Sequence, residues 1–177
     1  MALFHRRDVP PGEVVALLPR DERIVSWADV ADGTVVVATP AGLWWPEPDA
    51  PRLIGWHHVN KAVWHGRMLS VTQAEIVDDL LVIDRPAVSV ELAKPRDLPP
   101  TVRKRVEANV VRSEVLPVVG GTARFVGRRV PGQDGLRWWA RLEQGTPDTH
   151  QVRSAVSARL AIVQSEWEAE QDAAQRW

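Results

Sequence analysis

The stretch DERIVSWADVADGTVVVATPAGLWWP, residues 21–46, decides the fold. Its two runs of β-branched and apolar residues are typical of strands, and the Ala-Asp-Gly sequence at 31–33 separates them. Glycine in that turn supplies the positive φ that a tight hairpin requires. Pro40 and Gly42 interrupt the chain before the apolar run at 43–45. Residues 21–46 therefore predict a meander of three short antiparallel strands.

The same alternation of short apolar runs and turn signals continues to about Leu92. The further strand candidates are RLIGW, HHVNKAVWH, MLSVTQ, LLVID and AVSVELA. Many short strands separated by closely spaced turns are typical of an all-β sandwich or barrel. We expect residues 22–92 to form a seven-stranded antiparallel barrel.

A helix is predicted over residues 99–114. A Pro-Pro pair is a start signal, and Val102, Val106 and Val110 recur at helical spacing. An apolar stripe on a helix must pack against another layer. Since the open end of the barrel is the nearest such layer, we expect this helix to cap it.

A hairpin and a second helix follow the first helix. GTARFVGRRV and LRWWARLEQG predict the hairpin over 122–142, and Thr146 with Pro147 predicts the start of the last helix. We expect the apolar face of the hairpin, with Trp138 inside the contact, to pack on the apolar stripe of that helix. The members of the stripe are Val152, Val156, Leu160, Val163 and Trp167.

The predicted fold class is mainly β, or α+β by content. The chain divides into four segments: an N-terminal arm (1–21), a barrel with its capping helix (22–114), an added β-hairpin (115–145), and a C-terminal amphipathic helix with a frayed tail (146–177).

Composition restricts the classes of function. The 177 residues include 22 basic and 23 acidic side chains, so no overall field draws the protein to nucleic acid or membrane, although segment 96–150 is basic. The absence of Cys excludes disulfides, thiolate metal sites and Cys nucleophiles. Neither a signal peptide nor an apolar run of about 18 residues occurs, so we expect a soluble cytoplasmic protein without a transmembrane segment.

No catalytic or cofactor motif is found in the sequence. There is no G-x-S-x-G and no Ser-His pair with an obvious acid. Gly120-Gly121 precedes a strand, so it lacks the helix N-terminus on which phosphate cradles depend. Asp78-Asp79 is interpreted as a solvated turn rather than an acid-base pair. We expect no catalytic residue, no cofactor site and no enzyme activity.

Residues 41–66 contain four Trp and three His. His57 and His65 lie too far apart along one predicted strand to share a metal ion, and His58 points to the opposite face from His57. No ligand spacing is recognisable nearby. We therefore expect a barrel wall here and no metal site.

The Trp residues are expected to divide between the two faces of that wall. Trp27 and Trp64 are predicted in or near the core, with Trp64 requiring a one-residue bulge in its strand. Trp44 and Trp45 point to opposite faces, so one ring of the pair is outward. An outward ring needs cover from another element or from a partner. Trp44 is accordingly a candidate partner-binding residue.

Five stretches together carry a resemblance to a known family: DERIVSWADVADGTVVVATPAGLWWP, RLIGWHHVNKAVW, LSVTQ, VRKRVEANVV and RFVGRRVPGQDGLRWWARL. They resemble an uncharacterised bacterial family with a pleckstrin-homology-like (PH-like) domain, in which a hairpin and a helix follow the barrel. About seven short strands closed by one helix are similar to the PH superfold. The resemblance implies a fold and no activity.

The first hairpin loop departs from the PH domains that bind phosphoinositides. Those domains gather Lys and Arg around this loop to hold the phosphates. Here the loop contains Asp32, and Arg23 is the only basic residue between positions 21 and 51. We therefore expect no phosphoinositide binding by the usual mode.

The hairpin at 122–142 carries a cluster that could bind a partner. Alternation places Trp139 on the same face as several Arg side chains, an arrangement that suits stacking on bases or clamping an anionic ligand. The alternative interpretations are a solvated Arg face whose stems cover the indole, or a docking face for the last helix. The surrounding candidates are Arg124, Arg128, Arg137 and Arg141.

The leading expectation is a non-catalytic PH-like binding or scaffold module. Its partner is an unidentified protein or peptide, or a second copy of the chain in a homodimer. The alternative is nucleic-acid or anionic-ligand binding through the Arg and Trp face of the hairpin. An enzyme would instead require a deep pocket that holds strongly perturbed titratable groups.

Overall fold

The computed structural model describes residues 9–176. The helices are α1 (Gly12–Leu17), α2 (Leu98–Asn109) and α3 (His150–Ala174), and a 3₁₀ turn spans Trp56–His58. The strands in chain order are β1 (Ser26–Val30), β2 (Val35–Ala38), β3 (Gly42–Trp45), β4 (Arg52–Gly55), β5 (Val59–His65), β6 (Met68–Ile76), β7 (Val82–Asp84), β8 (Val88–Lys94), β9 (Val110–Val118), β10 (Gly121–Arg128) and β11 (Arg137–Leu142). The prediction of a mainly β chain is confirmed.

The first eight strands form one curled antiparallel sheet in the order β4-β3-β2-β1-β8-β6-β5, with β7 also paired to β6. β7 and β8 are two parts of one interrupted strand, because Asp84 pairs with Ala74 and Val88 pairs with Val71 on the same β6. Pro86 lies at the interruption, where its missing N–H removes a ladder bond. The sheet thus has seven strands, as expected. It is a half-barrel, because β4 and β5 at its two ends do not pair.

The concave side of the half-barrel holds the largest apolar core, and α2 closes one end of it. Leu98 and Val102 of α2 are fully buried there, while Val106 packs against the core from its margin. The prediction of a capping helix is confirmed at these positions. The predicted end at residue 114 is wrong, because α2 stops at Asn109 and Val110 begins a strand.

The early end of α2 results from strand pairing by the residues that follow it. Residues 110–118 alternate in the pattern of a strand and pair along β10. Asn109 fixes the junction, because its Nδ2 donates to the carbonyl of Arg129 at 2.5 Å and its own carbonyl accepts from the Arg129 amide. The added layer is therefore a three-stranded sheet, β11-β10-β9, that contains the predicted hairpin.

The outer face of β1–β3 is covered by the chain's own N-terminal segment. Leu18 is buried against Trp27 and two valines of β2, with Trp44 packed at the margin of this second core. Trp27 is therefore buried as expected, but on the outer face of the sheet. Residues 1–8 of the predicted N-terminal arm lie outside the described residues, and residues 9–21 include the helix α1.

The three-stranded sheet packs its apolar face on α3, as predicted. Phe125 is fully buried in this contact, and the Trp138 ring meets Trp167 edge-on with centroids 6.4 Å apart. The helix begins later than expected, since Thr149 is its N-cap and accepts from the Val152 amide at 3.2 Å. Thr146 instead ties the preceding loop to β10 through hydrogen bonds with the amide and carbonyl of Thr122.

Val102→Ala tests the capping role of α2. Val102 is 1% exposed in the half-barrel core, so the substitution should lower the free energy of unfolding by roughly 1–3 kcal/mol. Val106→Ala is the matched comparison and should cost less, because that side chain is only partly buried. Urea denaturation measures both. A larger loss for Val106→Ala would contradict the packing of α2 described above.

Candidate functional site

The register of β10 and β11 brings the predicted Arg residues together around Trp139. Val126 lies opposite Trp139, with one Arg-Arg pair on each side of it. Those pairs are Arg124 with Arg141 and Arg128 with Arg137. The arrangement inferred from simple alternation is therefore the one that the hairpin adopts.

This face points toward the half-barrel and not toward solvent. Trp139 is 5% exposed, and its indole lies beside His57 and Ile76 of the half-barrel across a small gap. Of the two positions open to Trp139, against the half-barrel or free among the Arg residues, it takes the first, which leaves it unavailable to a partner. Alternation along a strand defines which residues share a face, but the second layer decides whether that face is covered.

Arg128 anchors the two layers to each other. Its guanidinium is buried and donates to the carbonyls of Val59 at 2.8 Å and His57 at 3.4 Å, and to Oδ1 of Asn60 at 2.8 Å. Burial, together with the nearby positive charge of Arg141, lowers the pKa of Arg128 to about 10. The side chain is therefore still charged at neutral pH and acts as a structural donor.

The neighbouring Arg side chains are engaged as well. Arg141 pairs with Asp84 at 2.8 Å, and Arg124 pairs with Glu143 at 2.9 Å. Asp84 also accepts from the side-chain amide of Asn60 at 2.6 Å, so a polar chain runs from Arg128 to Arg141. Arg137 is the exposed member of the four candidates. The cluster joins β5, β7 and the added sheet.

Trp44, the remaining candidate, lies at the edge of the cover formed by α1. Its ring is partly buried and lines a groove of about 300 Å³ with Val14 and Leu17. Its Nε1 is buried without a hydrogen-bond partner among residues 9–176. The outward ring of Trp44 is thus mostly covered, as the sequence analysis expected, and α1 of the same chain provides most of that cover.

The paired histidines lie in the 3₁₀ turn and not in a strand. The rings of His57 and His58 lie side by side with centroids 4.1 Å apart and planes tilted by 45°, instead of pointing to opposite faces as expected. Burial, followed by the charges of His58 and Arg128, lowers the pKa of His57 to about 4. His65 lies at the far end of β5. Within residues 9–176, no three His, Asp or Glu side chains converge to hold a metal ion.

A large groove lies between β5 and α2, and the sequence reasoning missed it. It measures about 680 Å³ and is walled by Ala62 and Trp64 on one side and by Pro99, Val102 and Val106 on the other. Trp64 is 38% exposed, so its predicted place in the core is wrong. The predicted bulge is present between residues 59 and 61 and turns Trp64 toward the concave side of the sheet. The ring stays partly exposed because the groove separates it from α2.

The main chain of β5 forms one wall of this groove. The tight turn at 66–67 makes His65 of β5 and Met68 of β6 a hydrogen-bonded pair. Alternation then directs the N–H and C=O groups of Ala62 and Trp64 away from β6, toward the edge where the sheet ends. Within residues 9–176 no strand pairs with this edge of β5, and the edge faces a groove whose floor is apolar.

The rim of the groove is mainly basic. Arg103 pairs with Glu107 at 2.8 Å, and Arg96 pairs with Asp29 while lying over the Trp27 ring. Lys61 projects from β5 and is exposed. The groove thus combines an apolar floor, free main-chain groups and a surplus of positive charge.

Comparisons with protein-family models, with curated proteins and with solved structures find no match to this chain. No helix within residues 9–176 is long and apolar enough to cross a lipid bilayer. Function must therefore be inferred from the geometry of the chain's own residues.

Arg128→Met tests the junction between the layers. The substitution leaves the buried carbonyl of Val59 and the side chain of Asn60 without their donor, so the free energy of unfolding should fall by about 2–5 kcal/mol. Arg137→Met is the matched control, because Arg137 lies directly opposite in the hairpin but is exposed, and it should change stability by less than about 0.5 kcal/mol. Equal losses in urea denaturation would rule out the anchoring role.

His57 should make stability fall in mild acid. Because its folded-state pKa of about 4 lies below the ordinary value of 6.5, the unfolded chain takes up a proton first as the pH drops. The stabilisation present above pH 6.5 is therefore lost between pH 6.5 and 4, by an amount on the order of 1 kcal/mol because the ring is partly solvated. His57→Gln should flatten this pH dependence in urea titrations, whereas His65→Gln at an exposed position should leave it unchanged.

Proposed function

We propose that this chain is a non-catalytic, PH-like binding module that takes an extended peptide into the groove between β5 and α2. The strand order supports a PH-like assignment, since a seven-stranded curled antiparallel sheet is followed by a helix that closes one end. The three-stranded sheet and α3 form an added layer on this module.

The observation that carries the proposal is an unpaired strand edge beside an apolar groove. A peptide can add to such an edge as a further strand, with main-chain hydrogen bonds giving affinity and side-chain pockets giving selectivity. Ala62 and Trp64 supply the outward main-chain groups, and α2 forms the opposite wall with Val106. The peptide would thereby cover the exposed part of the Trp64 ring.

The groove defines the chemistry of the peptide. An apolar side chain fits between Trp64 and Val106, where both surfaces are carbon. An acidic side chain is favoured next to Lys61, because the rim carries more positive than negative charge. The proposed ligand is therefore an extended segment that combines an apolar anchor with an acidic residue.

Nucleic-acid binding through the hairpin is the less favoured alternative. It requires an accessible indole on which bases can stack. Trp139 and Arg128 are each 5% exposed, and Arg124 and Arg141 are engaged in ion pairs. Among the four candidate Arg residues, Arg137 is the one that is exposed to a phosphate.

Peptide display on the full chain tests the proposed groove. Peptides selected from a random library are synthesised, and their Kd is measured by fluorescence anisotropy. Ala62→Pro removes an outward N–H without touching the β5–β6 ladder, and Trp64→Ala removes the apolar wall. Each should weaken binding by about tenfold or more.

Leu53→Ala is the matched control, because Leu53 is 38% exposed like Trp64 but lies on β4 at the other end of the sheet, away from the groove. It should bind the selected peptides with unchanged Kd. Selected peptides that are insensitive to both Ala62→Pro and Trp64→Ala would contradict the groove. A single-stranded oligonucleotide that binds with a steep salt dependence would favour the alternative.

A further inference from the structure

The strand β9 forms an unpaired edge of the added sheet. The tight turn at 119–120 makes Val118 and Gly121 a hydrogen-bonded pair, so alternation directs the intervening main-chain groups outward. The outward donors are the amides of Ser113 and Val115, and the outward acceptors are the carbonyls of Val111, Ser113, Val115 and Pro117. Within residues 9–176 no other strand pairs with this edge.

We infer that β9 pairs with β9 of a second copy of this chain, antiparallel and about a two-fold axis at Ser113. The two three-stranded sheets then become one continuous sheet with both α3 helices on the same face. This interface is separate from the groove between β5 and α2 and does not depend on the proposed peptide binding.

The first argument is that the sequence of β9 complements itself about Ser113. In this register Arg112 lies opposite Glu114 of the partner, so the two-fold creates two opposite-charge pairs. The charged positions are non-hydrogen-bonded pairs, where side chains approach most closely.

The second argument is that every outward donor finds an acceptor in the same register. The amide of Ser113 meets the partner's Ser113 carbonyl, and the amide of Val115 meets the partner's Val111 carbonyl. Pro117 has no N–H to leave unpaired and lies just beyond these bonds.

Neighbouring registers of the β9–β9 pair place like charges opposite each other. Sliding the partner by two residues in one direction places Arg112 opposite Arg112, and sliding it in the other direction places Glu114 opposite Glu114. Like charges directly opposite each other destabilise an antiparallel pair. The charge pattern therefore selects one register, which is what a specific dimer requires.

The surroundings of β9 leave room for a second strand. Ser113 and Val115 are exposed on the face toward the half-barrel, so the half-barrel does not extend beneath the edge. On the other face Arg112 pairs with Glu114 and with Glu170 of α3, which places a charged group ready at the edge. Arg159 lies on the same side of α3 as Glu170 and has a buried Nε without a hydrogen-bond partner among residues 9–176.

Charge reversal and charge swap test the register. Sedimentation velocity of the native full chain at about 100 µM should show a dimer. Arg112→Glu alone should shift the population to monomer, because Glu then faces Glu114 of the partner. The double variant Arg112→Glu with Glu114→Arg should restore the dimer, because the opposite-charge pairs are re-formed in reverse.

Proline tests the main-chain bonds independently of charge. Ser113→Pro removes the central outward amide while leaving the bonds to β10 intact, so it should give monomer, and Ser113→Val should remain dimeric. Circular dichroism establishes that each variant is folded. Any of three results overturns the inference. The native chain is monomeric at this concentration, the Ser113→Pro variant still dimerises, or the double variant is no more dimeric than Arg112→Glu. The peptide Kd at the groove should be the same in dimer and monomer variants, so the two proposals fail separately.

Discussion

The guanidinium of Arg128 holds the half-barrel and the added sheet in one arrangement. It comes from the last residue of β10 and donates to the main chain at the start of β5 and to the side chain of Asn60. A buried cation requires such donors and acceptors to be satisfied together, so the contact tolerates little displacement. The orientation of the added sheet depends on this contact, and so does the burial of Trp139.

The same junction decides which surfaces remain open. Because β10 and β11 lie against the half-barrel, the aromatic and basic face of the hairpin becomes an internal layer. The edge strand β9 extends beyond that cover, and β5 remains unpaired on its other side. Among the strand edges that remain open, β5 lies beside an apolar groove and β9 carries a self-complementary charge pattern.

Burial shifts the pKa values of two polar groups at the interface between the layers. Arg128 remains charged because its donors are satisfied, whereas His57 is kept neutral by burial and by the neighbouring Arg128 and His58. Perturbed pKa values cluster at functional sites in many proteins, but structural networks perturb them as well. His57 and Arg128 lie where two layers meet, and the groove between β5 and α2 contains neither of them.

The sequence by itself determined the local elements of this protein. Alternation and turn residues predicted the strands, the hairpin register around Trp139 and the apolar stripe of α3, because these depend on neighbours along the chain. Tertiary structure alone decided the early end of α2, the exposure of Trp64 and the burial of Trp139. Each of these depends on what another layer places against the residue, and contacts between layers distant in sequence leave no periodic signal in either segment.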